Sequence, residues 1–264
     1  MNKTVYSDTN NKISACVITG NEEKNIRRCL ESVSWVDEII VVDSFSTDKT
    51  AIISREYTQR VYQKEWLGYI GQRNFVKDMA TNPWIFFVDA DEEVSPELKI
   101  EIENEFSSGN YKNYAGYEFP RMVKFLGRWI RHGNWYPDVK LRLFRKDLGT
   151  CSGKEPHDLT IVNGPKKRLK GHLFHYTYDS IASEINSLNR FSSISADGKY
   201  EDGVSFKIID FLFRPTFRFF RGYVLKGGFL NGIPGLIIEV STAYAVFVKY
   251  AKLWERYNIN KHNK

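Results

Sequence analysis

Apolar residues in the first part of the chain fall into short blocks whose period switches back and forth between strand and helix. Ile13–Thr19 is a continuous β-rich run followed by Gly20-Asn21-Glu22. Ile26, Leu30 and Val33 then recur at helical spacing, with Cys29 on the same face. Residues 38–42 form a second apolar run ending in Asp43, residues 47–55 suit a short helix, and residues 59–63 suit a third strand. Residues 69–79 have helical spacing, and residues 85–88 make an apolar run that stops abruptly at Asp89-Ala90-Asp91-Glu92-Glu93. Such a βαβα succession predicts an α/β fold with a mostly parallel, doubly wound sheet flanked by helices. Runs without polar alternation predict strands covered on both faces.

Beyond this the pattern changes. Residues 117–125, 139–145 and 158–162 look like strands separated by turns rich in Gly, Pro and Asn, in a stretch dense with Trp129, His132, Trp135, Tyr136, Arg142 and Arg145. Residues 183–200 predict a helix. After Gly203 the chain turns basic, aromatic and helical, and residues 211–225 interleave Arg with large apolar side chains. A basic helix with Phe and Leu on its other face suits a bilayer interface. Packing on the core, or on a second copy of the chain as a homo-oligomer, is the alternative. Residues 233–248 are the longest apolar stretch, but Pro234, Gly235 and Glu239 interrupt it. It falls short of the roughly 20 residues a spanning helix needs, so no spanning helix is expected. The expected domains are an α/β domain over 12–200 and a basic, aromatic helical appendage over 201–264.

Charge sharpens that division. Residues 205–264 carry ten Lys/Arg against three Asp/Glu, an excess of +7, whereas residues 1–204 carry 28 against 29. An asymmetry of this kind points to an anionic partner for the C-terminal part. The 264 residues are ample for a large core. Three scattered cysteines, Cys16, Cys29 and Cys151, have neither metal-ligand nor pairing spacing, and the N-terminus lacks a signal-peptide core. Both point to the cytosol.

The candidate chemistry sits at the strand ends. Ligands of open α/β sheets bind beyond the carboxyl ends of the strands, where Asp89 and Asp91 would emerge. Hard oxygen ligands there suit Mg²⁺ or Mn²⁺ bridging a substrate diphosphate. The alternative is an acidic turn opening the helix after Ser95-Pro96. There is no Gly-x-Gly-x-x-Gly after the first strand, no P-loop, and no EF-hand spacing. A bound diphosphate would therefore need metal and cationic side chains.

Four motifs in order resemble family 2 glycosyltransferases of the GT-A fold. They are Val17-Ile18-Thr19-Gly20-Asn21-Glu22, Val42-Asp43-Ser44-Phe45-Ser46-Thr47-Asp48-Lys49-Thr50, Gly71-Gln72-Arg73-Asn74 and Asp89-Ala90-Asp91-Glu92. The resemblance extends through Trp135-Tyr136-Pro137-Asp138 and Arg142-Leu143-Phe144-Arg145-Lys146 to Glu155-Pro156-His157-Asp158, and is nearest the branch that resembles lipopolysaccharide core glucosyltransferases. It implies an inverting enzyme that uses a nucleotide sugar, commonly a UDP-sugar. Asn21, Glu22, Asp43, Arg73 and Asp89 would then bind the donor. Asp91 would be the main metal ligand, Asp89 would serve metal or ribose, and His175 is either a further ligand or a structural histidine. The branch commonly carries His-Glu at the place of the general base. Here it is His157-Asp158, which makes Asp158 the first candidate and Glu155 the second. His157, Trp135 and Tyr136 are the candidates for holding the acceptor.

The expected activity is metal-dependent transfer of a hexose to a saccharide acceptor. The acceptor would be lipid-linked, as in lipopolysaccharide core, capsule or another envelope glycan, at the cytoplasmic face of the membrane, with peripheral contact to anionic lipid and no nucleic acid. A sugar nucleotidyltransferase and a non-catalytic nucleic-acid binder are the competing classes. The first lacks a basic Gly-rich loop, and the second lacks a recognition motif.

Overall fold

The structure is a computed structural model that describes residues 9–154, 157–178 and 180–262. Packing divides the chain into two compact units, Met1–Arg121 with Val139–His175, and Met122–Asp138 with Tyr176–Lys264.

The first unit begins with β1 (Ile13–Thr19), α1 (Ile26–Ser32), β2 (Glu38–Asp43), α2 (Thr50–Ser54), β3 (Val61–Gln63), α3 (Gly68–Met79) and β4 (Trp84–Asp89). β5 (Glu92–Val94) and α4 (Pro96–Ser107) follow, then β6 (Gly116–Phe125), which starts in this unit and ends in the second. β7 (Arg128–Trp129) belongs to the second unit. β8 (Asp138–Arg145), β9 (Gly149–Lys154), β10 (His157–Val162), β11 (Lys166–Arg168) and β12 (Leu173–Tyr178) come next. The large sheet runs β3-β2-β1-β4-β8-β6-β12-β5, with β7 and β11 attached to β6, while β9 and β10 pair only with each other.

Parity along the strands explains the layering. Ile13, Ala15 and Val17 of β1 share one core cluster with Trp84, Phe86 and Val88 of β4, and with Ile26, Cys29 and Leu30 of α1. The residues between them, Cys16, Ile18, Ile85 and Phe87, join a second cluster with Val76 of α3. Side chains alternate faces along a strand, so a run that is apolar at every position feeds two cores at once. That is why all seven residues of β1 are buried.

Registry then places the polar ends. β1 is parallel to both β2 and β4, with Thr19 opposite Asp43 and Ile18 opposite Asp89. The carboxyl ends of three parallel strands finish side by side, and the loops that leave them face the same way.

The strands β5, β7, β9, β11 and β12 go beyond the elements expected from the sequence. β9 is Gly-Thr-Cys-Ser-Gly-Lys and β5 is Glu-Glu-Val, so neither has an apolar pattern to announce it. They pair because a partner backbone lies alongside.

In the second unit, α5 (Ile181–Glu201), α6 (Ile208–Phe220) and α7 (Ile233–His262) pack with α7 in contact with both others. By packing, α5 therefore groups with the C-terminal helices, ahead of the 200/201 boundary read from composition. α7 corrects one expectation, since it runs unbroken for 30 residues. Pro234 falls in its first turn, where a helix needs no N–H donor. Glu239 is buried and bonded within the unit, accepting from the Asn134 N–H at 2.7 Å and from its Nδ2 at 2.5 Å. Gly133 and Gly222 leave the room for this carboxylate, because a Cβ on either would overlap it. Residues Ile233–Asn258 are long and apolar enough to cross a membrane by length and composition.

Phe86→Ala should cost about 3–5 kcal/mol of stability by opening a cavity between β4 and its cluster, whereas Phe213→Ala, at a 66% exposed position, should stay within about 0.5 kcal/mol. Urea denaturation followed by circular dichroism measures both. Equal effects would mean that the core has been wrongly located.

Candidate active site

The loops after β1 and β2 hold each other. The Asn21 N–H donates to Ser46 Oγ at 2.8 Å, and Asn21 Oδ1 accepts the Thr47 N–H at 2.8 Å. The Glu22 N–H donates to Thr50 Oγ1 at 2.7 Å. Asn21 and Phe45 both take positive φ, the left-handed conformation that asparagine tolerates better than phenylalanine does. Such a conformation at Phe45 persists only where the surroundings over-determine it. Asp43 is wholly buried and accepts the Ser46 N–H at 3.0 Å and the Ser46 hydroxyl, so this carboxylate shapes the loop.

At the end of β4, Asp89 is shared by two arginines. Arg73 Nη2 of α3 donates to its Oδ1 at 2.6 Å, and Arg142 Nη2 of β8 donates to its Oδ2 at 2.8 Å. Both arginines are buried. Burial alone would raise the Asp89 carboxyl, but Arg142 and then Arg73 outweigh it and hold the group well below the usual carboxylate range. A second acid, Glu92, is fully buried behind it. Glu92 Oε2 accepts the Asp89 N–H at 2.9 Å, and its Oε1 meets Arg121 at 3.1 Å and Arg142 at 3.5 Å.

Asp91 takes a different partner. Its Oδ2 lies 3.0 Å from His175 Nε2 of β12, which reaches it because His175 pairs with Glu92 across the β5–β12 ladder. Burial would raise the Asp91 carboxyl, and the charge of His175 and its hydrogen bond overcome this and lower it. Glu22 goes the other way. Burial raises it, the Asn25 amide at 2.8 Å opposes, and the Asp91 charge raises it further. Among the described residues no three His, Cys, Asp or Glu side chains are arranged around a common metal position. The Asp91 carboxylate is an oxygen donor of the kind that suits Mg²⁺ or Mn²⁺, and His175 Nε2 stands beside it. Four-ligand structural zinc is a different arrangement.

The Gly71-Gln72-Arg73-Asn74 segment of α3 ties these parts together. Gln72 Nε2 donates to Ser44 Oγ at 3.0 Å in the β2 loop, and Arg73 reaches Asp89. Asn74 receives the Cys151 N–H on Oδ1 at 3.0 Å and gives its Nδ2 to the Cys151 carbonyl at 2.9 Å, fixing the β9–β10 hairpin. Successive residues of one helical turn thus reach three different elements. The hairpin carries His157 and Asp158, opposite Lys154 and Gly153 in register. Glu155 lies outside the described residues, as do the side chains of His157 and Asp158.

Asn21, Glu22, Asp43, Arg73, Asp89, Asp91 and His175 all lie at or beside the three strand ends. Asp89, expected to touch ribose or metal, has both oxygens engaged by guanidiniums, and Arg73, whose planar fork suits a diphosphate or a carboxylate, gives one arm to the Asp89 carboxylate. Arg142, Arg121 and Glu92 are the residues left out of the expected site. The available signal was Arg142 in the Arg-Leu-Phe-Arg motif and the fourth residue of Asp-Ala-Asp-Glu. In the second unit, Trp135 packs against Phe125 (5.4 Å between ring centres) and Tyr178 (5.8 Å), as a core residue does. Tyr136 precedes a cis proline, Pro137.

Residues 14–162 match the family described as Glycosyl transferase family 2, and the chain belongs to that family. It is 33% identical to an uncharacterized glycosyltransferase of Rickettsia typhi, over 92% of this chain and 87% of that one. It is 28% identical to the lipopolysaccharide core biosynthesis glycosyltransferase LpsC of Rhizobium meliloti, over 93% of each. Among solved structures, the mannosyltransferase PcManGT of Pyrobaculum calidifontis in complex with GDP-Man and Mn²⁺ superimposes with a TM-score of 0.50 at 14% identity, covering 92% of this chain and 87% of that one. The fold is the GT-A type, and the enzyme class is glycosyltransferase. The nucleotidyltransferase and nucleic-acid-binding alternatives are set aside.

Asp89→Asn would leave two buried arginines facing a neutral amide, at a cost of about 3–5 kcal/mol. Because the folded-state carboxyl is depressed, its stabilisation is present above the unfolded value of about 3.9 and is lost as pH falls below it. Urea midpoints measured from neutral to acid pH should fall for the wild type below about pH 4, and Asp89→Asn should flatten that fall. Parallel curves for the two proteins would refute the assignment.

Proposed function

We propose that the enzyme is a metal-dependent, inverting glycosyltransferase that moves a hexose from a nucleotide sugar, a UDP-sugar by preference, to a lipid-linked saccharide such as lipopolysaccharide core. The observation that carries this proposal is the convergence of Asp43, Asp89 and the Asp91–His175 pair at adjacent strand ends of a family 2 glycosyltransferase. The acceptor class draws support from LpsC, whose name places it in lipopolysaccharide core biosynthesis. Metal use draws support from the two-ligand pair itself. The basic C-terminal helices would keep the enzyme at the cytoplasmic face of the membrane, where such acceptors lie.

In this proposal the loop shaped by Asp43, together with Asn21 and Glu22, receives the nucleoside. Asp91 and His175 would hold a divalent ion, which would supply positive charge to stabilise the departing nucleoside diphosphate. Arg73 and Arg142, pinned by Asp89, set two cationic side chains beside the diphosphate. Asp158 accepts the proton of the acceptor hydroxyl as its oxygen bonds to the anomeric carbon. The bond from that carbon to the phosphate oxygen breaks, and the electron pair leaves with the nucleoside diphosphate. In-line attack from the opposite face inverts the anomeric centre. Glu155 is the second candidate for the base, and His157 with Trp135 and Tyr136 for acceptor binding.

A panel of UDP- and GDP-sugars with Mn²⁺ or Mg²⁺, scored by donor hydrolysis and thermal stabilisation, tests the donor assignment. At least one nucleotide sugar should stabilise the protein only with metal present, and silence across the panel would sink the proposal. Asp91→Ala should abolish metal-dependent stabilisation, and His175→Ala should weaken it. Asp158→Asn should keep donor binding while losing transfer by about 100-fold or more. Equal loss of donor binding in Asp91→Ala and Asp158→Asn would refute the division of roles.

A further inference from the structure

The second unit contains a cavity of about 510 Å³ between α5, α6 and α7, lined by none of the strand-end residues described above. Arg214, Arg218 and Arg221 line it from α6 and the π-helical turn that extends it, at spacings that put them on one face, and Lys249 lines it from α7. Phe191 and Phe217 contribute apolar walls, and none of the lining residues is acidic.

The carboxylates near this cluster are already engaged. Asp210 pairs with Arg214 at 2.8 Å, and both oxygens of Glu239 accept from Asn134. Among the described residues Arg218, Arg221 and Lys249 make no ion pair, and the buried Nε of Arg218 has no hydrogen-bond partner. Burial, and then Lys199, Arg214 and Arg218, push the Lys249 ammonium below the ordinary lysine value, while burial and Arg221 do the same to Arg218 against the pull of Glu239. Uncompensated cations held around a cavity are disfavoured unless an anion completes them. Guanidiniums with free N–H edges match phosphate geometry.

The rest of α6 identifies what kind of anion this is. Ile208, Ile209, Leu212, Phe213 and Phe217 are each more than half exposed on this one helix. A helix that bares large apolar side chains while its arginines gather around a cavity is built for the boundary between headgroups and acyl chains. We infer that this cavity binds the phosphate headgroup of an anionic membrane lipid, with the start of the acyl chain lying along Phe191 and Phe217. The inference sharpens the membrane contact proposed above and rests on it, but it does not depend on the donor assignment.

The test is co-sedimentation of the full-length protein with phosphatidylcholine vesicles, with and without phosphatidylglycerol. The wild type should bind only the anionic vesicles. R218Q/K249Q should lose about tenfold or more in apparent affinity, since each cation near an anionic surface contributes roughly fivefold. K99Q/K170Q, which removes the same charge from the first unit, should lose far less. A245F keeps every charge but fills the cavity, and it should lose binding as R218Q/K249Q does. Circular dichroism confirms that each variant is folded. If the wild type binds anionic vesicles but A245F binds equally well, or the two charge pairs lose equally, the cavity assignment is overturned while the membrane contact stands. If inorganic phosphate displaces the protein at the phosphate concentration of the vesicles, the cavity takes a soluble anion and the lipid assignment is overturned. If the wild type binds no vesicle, the membrane contact and the cavity assignment fall together.

Discussion

Everything at the strand ends depends on one carboxylate held between two guanidiniums. Asp89 leaves the end of the most apolar strand in the first unit, and its two oxygens draw in Arg73 from a helix and Arg142 from an antiparallel strand. Three elements from distant parts of the sequence are thereby locked to one point. Two buried cations beside one half-buried anion leave excess positive charge, which the buried Glu92 offsets in part by meeting Arg142 and Arg121. The site is thus a charged lattice in low-dielectric surroundings, stable only while each partner is present. Its guanidiniums concentrate positive charge at the strand ends of a fold that lacks a glycine-rich phosphate loop.

Much of this was legible in the sequence because the strands are apolar at every position. β1, β2 and β4 announced themselves, and their polar termini followed as soon as the strands were ordered. Asn21, Asp43, Asp89 and Asp91 were found because each immediately follows such a run. What stayed hidden depends on residues far away in the chain. Glu92 could not be known as a buried acid without Arg121 and Arg142, which lie 29 and 50 positions further on. β5 is too short and acidic to be seen, and β12 has a strand-like composition but nothing that names its partner, yet their pairing is what delivers His175 to Asp91.

The C-terminal half shows the opposite failure of local rules. Pro234, Gly235 and Glu239 look like interruptions, yet none of them breaks α7. The proline sits where the helix has no use for an N–H, and the acid is met by Asn134. Helix 208–220 was legible as basic and aromatic. Its gathering of Arg214, Arg218 and Arg221 around one cavity depends on α7 supplying Lys249 opposite them.

Asn74 grips the β9–β10 hairpin by the main-chain N–H and C=O of Cys151 and by the Thr150 hydroxyl, at the end of the hairpin away from His157 and Asp158. Main-chain atoms are the same whatever the residue. A hairpin held at one end can change residues at the other, so His157 and Asp158 can be exchanged while the grip of Asn74 on Thr150 and Cys151 stays as it is.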